Sequence, residues 1–205
     1  MRLTSLALAL AALVLGGCVL GKSKHAQTYV LDATIPPASA PATPAAEKVL
    51  GVLKVTVPGW LDRPQITGRG SSGEVVADEY ARWGEPIARG IQRVMAENLA
   101  ALLPDHRLVT APFSPSVPVH QRLELTIDEA ARQPDGTVRV TARWAVLAPG
   151  GVSLAQGRSS HSARPSAPGA SGVVAGSNEA LASISREIAD AVRALPAPSA
   201  ASSQP

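Results

Sequence analysis

Leu123-Glu124-Leu125-Thr126-Ile127-Asp128 and Val138-Arg139-Val140-Thr141-Ala142-Arg143-Trp144-Ala145-Val146 stand on either side of Pro134-Asp135-Gly136, and the reading of this stretch decides the fold. Apolar and polar residues alternate in both runs, so each run puts its apolar set on one face of an extended strand. Pro-Asp-Gly between them is turn chemistry, and the whole predicts an antiparallel hairpin. A sheet that is apolar on one face needs a cover. From Glu85 to Leu103, Ile87, Ile91, Val94, Met95, Leu99, Leu102 and Leu103 recur at helical spacing between Pro86 and Pro104, with Arg89, Gln92, Arg93 and Glu97 on the face left to water. From Ser177 to Leu195, Leu181, Ile184, Ile188, Val192 and Leu195 form a second such stripe. Further strands are expected at Thr28 to Asp32, Val49 to Val57, Pro64 to Arg69, Glu74 to Ala77, Arg107 to Thr110 and Ser153 to Arg164. Loops are expected over the Pro/Ala-rich Ala33 to Ala46, around Pro112, Pro115 and Pro118, and over the Ser/Gly/Pro-rich segment after Arg164. The expectation is an α+β fold: a mostly antiparallel sheet with two amphipathic helices packed on it, a two-layer sandwich.

The N-terminus has a different character. Arg2, an apolar run from Leu6 to Leu15, and Gly16-Gly17-Cys18 have the layout of a secretory signal peptide. The run is too short for a transmembrane helix, which needs roughly 20 apolar residues. Leu15-Gly16-Gly17-Cys18 is more specific still, because lipoprotein processing requires small residues before the cut and a thiol to carry diacylglycerol. Cys18 is the sole cysteine, and two or more acyl chains give stable attachment at about 0.8 kcal/mol per buried methylene. The predicted layout is residues 1–17 as signal peptide, 18–26 as lipidated tether, 27–195 as a single α+β domain and 196–205 as a disordered Pro/Ala/Ser tail.

Several function classes are disfavoured. The net charge of +3 is small, the lysines are dispersed and aromatics are 3% of residues, so no nucleic-acid partner is expected. Gly16 to Ser23 matches the spacing of a phosphate-binding loop, but the predicted cut falls inside it and no strand precedes it. Gly68-Arg69-Gly70-Ser71-Ser72-Gly73 matches the dinucleotide spacing, yet a strand-like run follows it, and a hairpin turn is expected instead. His25, His106, His120 and His161 lie in tether, loop or edge contexts with no Gly-x-Ser-x-Gly elbow, and His161 within Ser159-Ser160-His161-Ser162 reads as a solvent-facing strand residue. Asp128 and Glu129 are adjacent and point to opposite faces of a strand. No His-x-x-x-His or Cys-x-x-Cys pair offers a metal site. Neither an enzyme nor a cofactor is expected.

Val55-Thr56-Val57-Pro58-Gly59-Trp60-Leu61-Asp62-Arg63-Pro64-Gln65-Ile66 is the most distinctive stretch, two strands joined by a tight loop. Two readings of it stand side by side. In one, Trp60 and Leu61 cap the core and Asp62 and Arg63 pair locally. In the other the loop displays Trp60, Leu61, Asp62, Arg63, Pro64 and Gln65 to a partner, since Trp and Arg are enriched anchors of interfaces. With Tyr29-Val30-Leu31 before it and Arg82-Trp83-Gly84-Glu85-Pro86 opening the long helix after it, this stretch resembles the ABC-type transport auxiliary lipoproteins, the family of paraquat-inducible protein C. In that family a Tyr-x-Leu strand, a Leu-Asp-Arg-Pro-Gln-Ile segment and an Arg-Trp-x-Glu-Pro helix start follow the lipidated cysteine in this order, and Ala142-Arg143-Trp144 also fits. The resemblance spans nearly the whole mature chain up to the tail, with a denser set of glycines at Gly68 to Gly73 than the family pattern.

The resemblance implies an outer-membrane lipoprotein facing the periplasm, serving an MCE-type lipid transport system and docking a periplasmic MCE-domain protein with its inner-membrane complex. Val19 after the cysteine agrees with outer-membrane delivery under the sorting rules of such proteins. A homo-oligomer is expected, because an axial partner is best met by a ring. Arg82 and Trp83 join the loop residues as candidate interface positions. The rival is a lipid carrier with an acyl-chain groove between helix and sheet, and a periplasmic hydrolase is a third reading.

Overall fold

The computed structural model describes residues 25–37 and 48–196. The expected signal peptide, Cys18 and its lipid, the accidental phosphate-loop match and the tail from residue 197 lie outside the described residues. The elements in chain order are β1 (Gln27–Tyr29), β2 (Lys48–Val52), β3 (Gln65–Arg69), β4 (Val75–Trp83), α1 (Ile87–Leu102), β5 (His106–Thr110), β6 (Gln121–Arg132), β7 (Val138–Leu147), β8 (Ser153–Ala163) and α2 (Gly169–Arg193).

The β6–β7 hairpin forms as the alternation predicts, with Leu123 opposite Val146, Leu125 opposite Trp144 and Arg132 opposite Val138. Its turn closes through Gly136, at φ 83°, while the Asp135 carboxylate accepts from both the backbone N–H and the hydroxyl of Thr137. β8 extends this unit antiparallel to β7. The other edge of β6 is shared. Its first residues pair with β2, Thr126 bridges Thr56, and Arg132 pairs with Gly68 of β3. From β2 the sheet continues to β5, and from β3 to β4 and then β1.

The fold is α+β with both helices as expected, but the sheet is mixed. Four of the seven strand pairs are parallel (β1–β4, β2–β5, β2–β6, β3–β6). The expectation of a mostly antiparallel sheet followed hairpins, which a local turn announces. Parallel pairs join strands across long connections such as α1, and nothing local in the sequence marks them.

Both helices lie on the apolar face of the sheet and against each other. Ile91, Val94, Met95 and Leu99 of α1 and Leu181, Ile184, Ile188 and Ala189 of α2 meet Leu50, Val52, Leu123, Ile127, Val140, Ala142 and Val146 of the strands, all of them buried. These side chains fill the space between the two helices and the middle of the sheet.

Two corrections concern the helices. α2 starts eight residues before Ser177, within what reads as a Ser/Gly/Pro loop. Its early glycines are poor helix formers, yet they permit a close approach: a Cβ on Gly176 would stand 2.7 Å from the Cβ of Val138. In α1, Gln92 is not on the water face. It is 9% exposed, and its amide nitrogen lies 3.1 to 3.3 Å from the carbonyls of Val52, Leu53 and Ala111.

Candidate functional site

The loop after β2 is built by its prolines. The N–H groups of Leu61 and Asp62 both donate to the Pro58 carbonyl, at 2.9 and 3.2 Å, which folds the chain back on itself. Pro64 stands just before β3, where its missing N–H costs nothing, and its carbonyl accepts from Trp83 N–H at 2.7 Å. Gln65 pairs with Arg82, after which β4 bulges: Asp78 to Ala81 stand between that pair and Thr67–Ala77, against Ile66 alone on β3. The loop is therefore clamped directly to the end of β4.

The structure sorts the candidate residues into three groups. Leu61 is 2% exposed within the main core, so it locks the loop and has no surface to offer a partner. Trp60 is half-buried on the other side, with the Arg69 guanidinium 5.3 Å from its ring centroid. It shares a hollow with Asp128, Glu129, Thr141 and Arg158. Asp62, Arg63 and Pro64 are exposed and, with Trp83, Gly84, Glu85 and Pro86, line one open cleft of about 310 Å³. Gln65 and Arg82 form the strand pair beside it. The two segments that sequence reading singled out separately are one place on the surface. Arg82 and Trp83, however, close β4 and do not open the helix, which begins after Pro86.

Behind the cleft is a strap that sequence reading missed. Glu85 accepts from Arg93 Nη2 at 2.9 Å, and the same nitrogen donates to the Leu31 carbonyl at 2.7 Å. This hydrogen bond to Glu85 raises the Arg93 pKa above its ordinary value, against the opposing pull of desolvation. Asn178 accepts from Asp32 N–H at 3.1 Å and Asn98 from Ile35 N–H at 3.3 Å. The segment from β1 onward is thereby tied across both helices, with Leu31 buried beneath it. Asn98 is fully buried and Asn178 nearly so. A buried Asn on an otherwise apolar helical stripe was the available signal.

A polar chain runs along the β7–β8 edge of the helix layer. The Trp144 indole N–H donates to the Ser159 hydroxyl at 3.0 Å, that hydroxyl donates to Glu187, and the other Glu187 oxygen lies 2.6 Å from His161 Nε2. His161 is thus held by α2 and is not a purely solvent-facing residue. Ser159 is 2% exposed and bonds to a carboxylate rather than to His161, so the arrangement is not that of a nucleophile with its base. On the opposite face of the sheet Asp128 receives both Nε and Nη2 of Arg143, at 3.1 and 2.9 Å, and Arg158 stands 3.8 Å away. The Arg143 hydrogen bonds hold the Asp128 carboxyl below the usual range, against a smaller desolvation effect. Among the described residues no group of three or more His, Cys, Asp or Glu is placed to hold a metal ion, and no helix is long and apolar enough to cross a membrane. The glycine-rich segment is a hairpin turn, closed by Gly70 N–H to the Glu74 carbonyl at 2.9 Å with Gly73 at φ 87°.

A family model described as ABC-type transport auxiliary lipoprotein component matches residues 29–189. The chain belongs to this family. Membership makes it an auxiliary lipoprotein of a transport system, held at a membrane of the cell envelope. No curated protein matches the chain. Among solved structures, an uncharacterized protein is 18% identical with a TM-score of 0.67, over 82% of this chain and 99% of its own. A Xanthomonas campestris protein of the DUF330 family is 17% identical with a TM-score of 0.66, over 80% of this chain and 93% of its own. At these identities the likeness establishes the fold. A dodecameric PelC variant from Paraburkholderia phytofirmans is more distant, 15% identical with a TM-score of 0.46 over 74% of this chain and 95% of its own.

Proposed function

We propose that lipid on Cys18 fixes this auxiliary lipoprotein to the periplasmic face of the outer membrane. There the Asp62–Pro64 and Trp83–Pro86 cleft docks a periplasmic MCE-domain protein, the extension of an inner-membrane ABC-type lipid transport complex. The chain performs no bond-making chemistry of its own in this role.

The observation that carries the reading is the convergence of the two segments most typical of the family on one exposed cleft. Arg63 has no hydrogen-bond or ion-pair partner among the described residues, so its donors are available to a partner. The loop beneath is rigid, with Leu61 in the core and Pro64 clamped to Trp83, and binding therefore orders little that is not already ordered. From Cys18 to Gln27 the chain reaches at most about 30 Å at roughly 3.3–3.6 Å per residue, so lipid on Cys18 would keep β1, and the cleft beside it, near the membrane. Ring assembly fits an axial partner, and β8, 11 residues long and paired among the described residues only to β7, offers its other edge to a second copy.

Co-purification of the full-length lipoprotein with the candidate MCE protein tests the reading. Wild type should retain the partner, and Asp62→Ala with Arg63→Ala should lower recovery about tenfold, as loss of one interface anchor does. Equal recovery from both would overturn the assignment of the cleft.

A further inference from the structure

Arg93 and Asn178 meet at a single peptide group of the strap. The carbonyl of Leu31 accepts from Arg93 Nη2 of α1 at 2.7 Å, and the N–H of the same peptide, on Asp32, donates to Asn178 Oδ1 of α2 at 3.1 Å. One peptide plane is thus fixed from both sides by side chains of different helices. Both bonds are partly buried, with Asn178 8% and Leu31 2% exposed. The far end of the strap is held less well. Asn98 accepts from Ile35 N–H at 3.3 Å, and its own Nδ2, in a fully buried residue, has no hydrogen-bond partner among the described residues. A buried donor left unmet opposes closure there, so the clamp on the Leu31–Asp32 peptide is what seats the strap.

The clamp continues into the cleft. The nitrogen that holds Leu31 also donates to Glu85 Oε1 at 2.9 Å, and Arg93 Nε reaches the same oxygen at 3.3 Å. Glu85 lines the cleft, whereas Arg93 and Asn178 do not. One residue earlier, Gly84 N–H donates to the Tyr29 carbonyl at 2.7 Å, and Tyr29 pairs with Trp83. The approach is close: a Cβ on Gly84 would lie 3.1 Å from side-chain carbons of both Thr28 and Val30. Trp83, Gly84 and Glu85, one wall of the cleft, therefore rest on β1 and the strap.

We propose that seating of the strap and the shape of the cleft are one equilibrium: Asn178 fixes the Leu31–Asp32 peptide, that peptide fixes Arg93, and Arg93 fixes Glu85. Asn178 is thereby a positioning residue for a cleft that it does not line. In the seated arrangement all these bonds are made. When the strap lifts, Arg93 loses the Leu31 carbonyl, Gly84 loses the Tyr29 carbonyl, and the wall loosens. A partner that fits the seated wall stabilises the strap, and by linkage a seated strap raises the partner's affinity by the same factor. That consequence rests on the docking reading above; the coupling itself does not.

Hydrogen exchange of the full-length lipoprotein in phosphatidylcholine nanodiscs, resolved to single amides by electron-transfer fragmentation, tests the coupling without any partner. Each variant is read at an amide whose own bond it leaves intact. Asn178→Leu should speed exchange at Gly84 about tenfold, the equivalent of one lost hydrogen bond, although Gly84 and its acceptor Tyr29 are untouched. Glu85→Ala should speed exchange at Asp32 by a similar factor, although its acceptor Asn178 is untouched. Asn178→Asp, which keeps the acceptor oxygen, should exchange at Gly84 as the wild type does. An unchanged Gly84 in Asn178→Leu, an unchanged Asp32 in Glu85→Ala, equal acceleration in Asn178→Leu and Asn178→Asp, or acceleration at Gly84 no greater than at the β6–β7 amides would each overturn the proposal. Added to the wild type, the candidate MCE protein should slow exchange at Asp32. Absence of that protection, with the coupling of the free protein intact, would tell against the docking reading alone.

Discussion

Replacing Leu61 by alanine separates the two roles that the loop between β2 and β3 combines. The leucine is 2% exposed and belongs to the main core cluster. The substitution removes three carbons from that core, worth about 2.4 kcal/mol at roughly 0.8 kcal/mol per buried methylene. A residual cavity raises the cost to about 3–4 kcal/mol, because the clamp of Pro64 on Trp83 and the Pro58 turn prevent the loop from collapsing inward. At about 2–4 °C per kcal/mol for a chain of this size, the melting temperature should fall by roughly 6–16 °C. Arg63→Ala, two residues along the same loop, is exposed and unpaired among the described residues, and should leave stability within about 0.5 kcal/mol of wild type. Differential scanning calorimetry of the two variants gives both numbers. A Leu61→Ala protein that melts within a degree of wild type would refute the claim that this side chain locks the loop from inside the core.

Three further outcomes are expected. Gly176→Ala drives a Cβ to 2.7 Å from that of Val138, an atom fixed by its backbone, and should destabilise by about 1–3 kcal/mol in urea unfolding; an unchanged midpoint would mean that α2 does not seat against β7 as described. Ser159→Ala leaves the part-buried Trp144 indole N–H without its partner, while Glu187 keeps His161, and should cost about 1 kcal/mol; a serine-reactive probe should fail to label the wild type at this position. Asp128 has a folded-state pKa below its unfolded value, so its contribution is present above about pH 3.9 and is lost as pH falls through the folded value. Asp128→Asn should therefore flatten acid unfolding in that range by a small amount, under about 1 kcal/mol for a pair this exposed. Identical acid titrations of the two proteins would contradict the assigned role of Arg143.

The parts of the fold that were legible in sequence are those that local chemistry writes. Alternation and the Pro134-Asp135-Gly136 turn announce β6–β7, and the heptad-like stripe announces α1. β4 reads as a four-residue strand because its alternation breaks where four residues bulge against Ile66, and Arg82-Trp83 then look detached from it. The start of α2 reads as a loop because glycine has little helix propensity, whereas contact with Val138 decides the outcome. Parallel pairing of β2 with β5 and β6 carries no local mark at all.

The site divides in the same way. Residue types in the Trp60 to Gln65 loop point to an interface or a structural lock, and sequence alone leaves both open. Only burial separates Leu61, which locks, from Asp62 and Arg63, which face water. The cleft itself depends on a nonlocal strand pair, Gln65 with Arg82, that no spacing rule predicts. The strap held by Arg93, Asn98 and Asn178 was hidden because charged and amide residues on a helix are ordinarily read as solvated.

Site-specific photo-crosslinking in intact cells tests the central claim most directly. A benzoylphenylalanine at Arg63 of the lipoprotein should form an adduct with the MCE-domain protein, and one at Arg158, on the other face of the loop beside Trp60, should form little or none. Adducts of equal yield from both positions, or none from Arg63 while the protein is membrane-anchored and folded, would contradict the account.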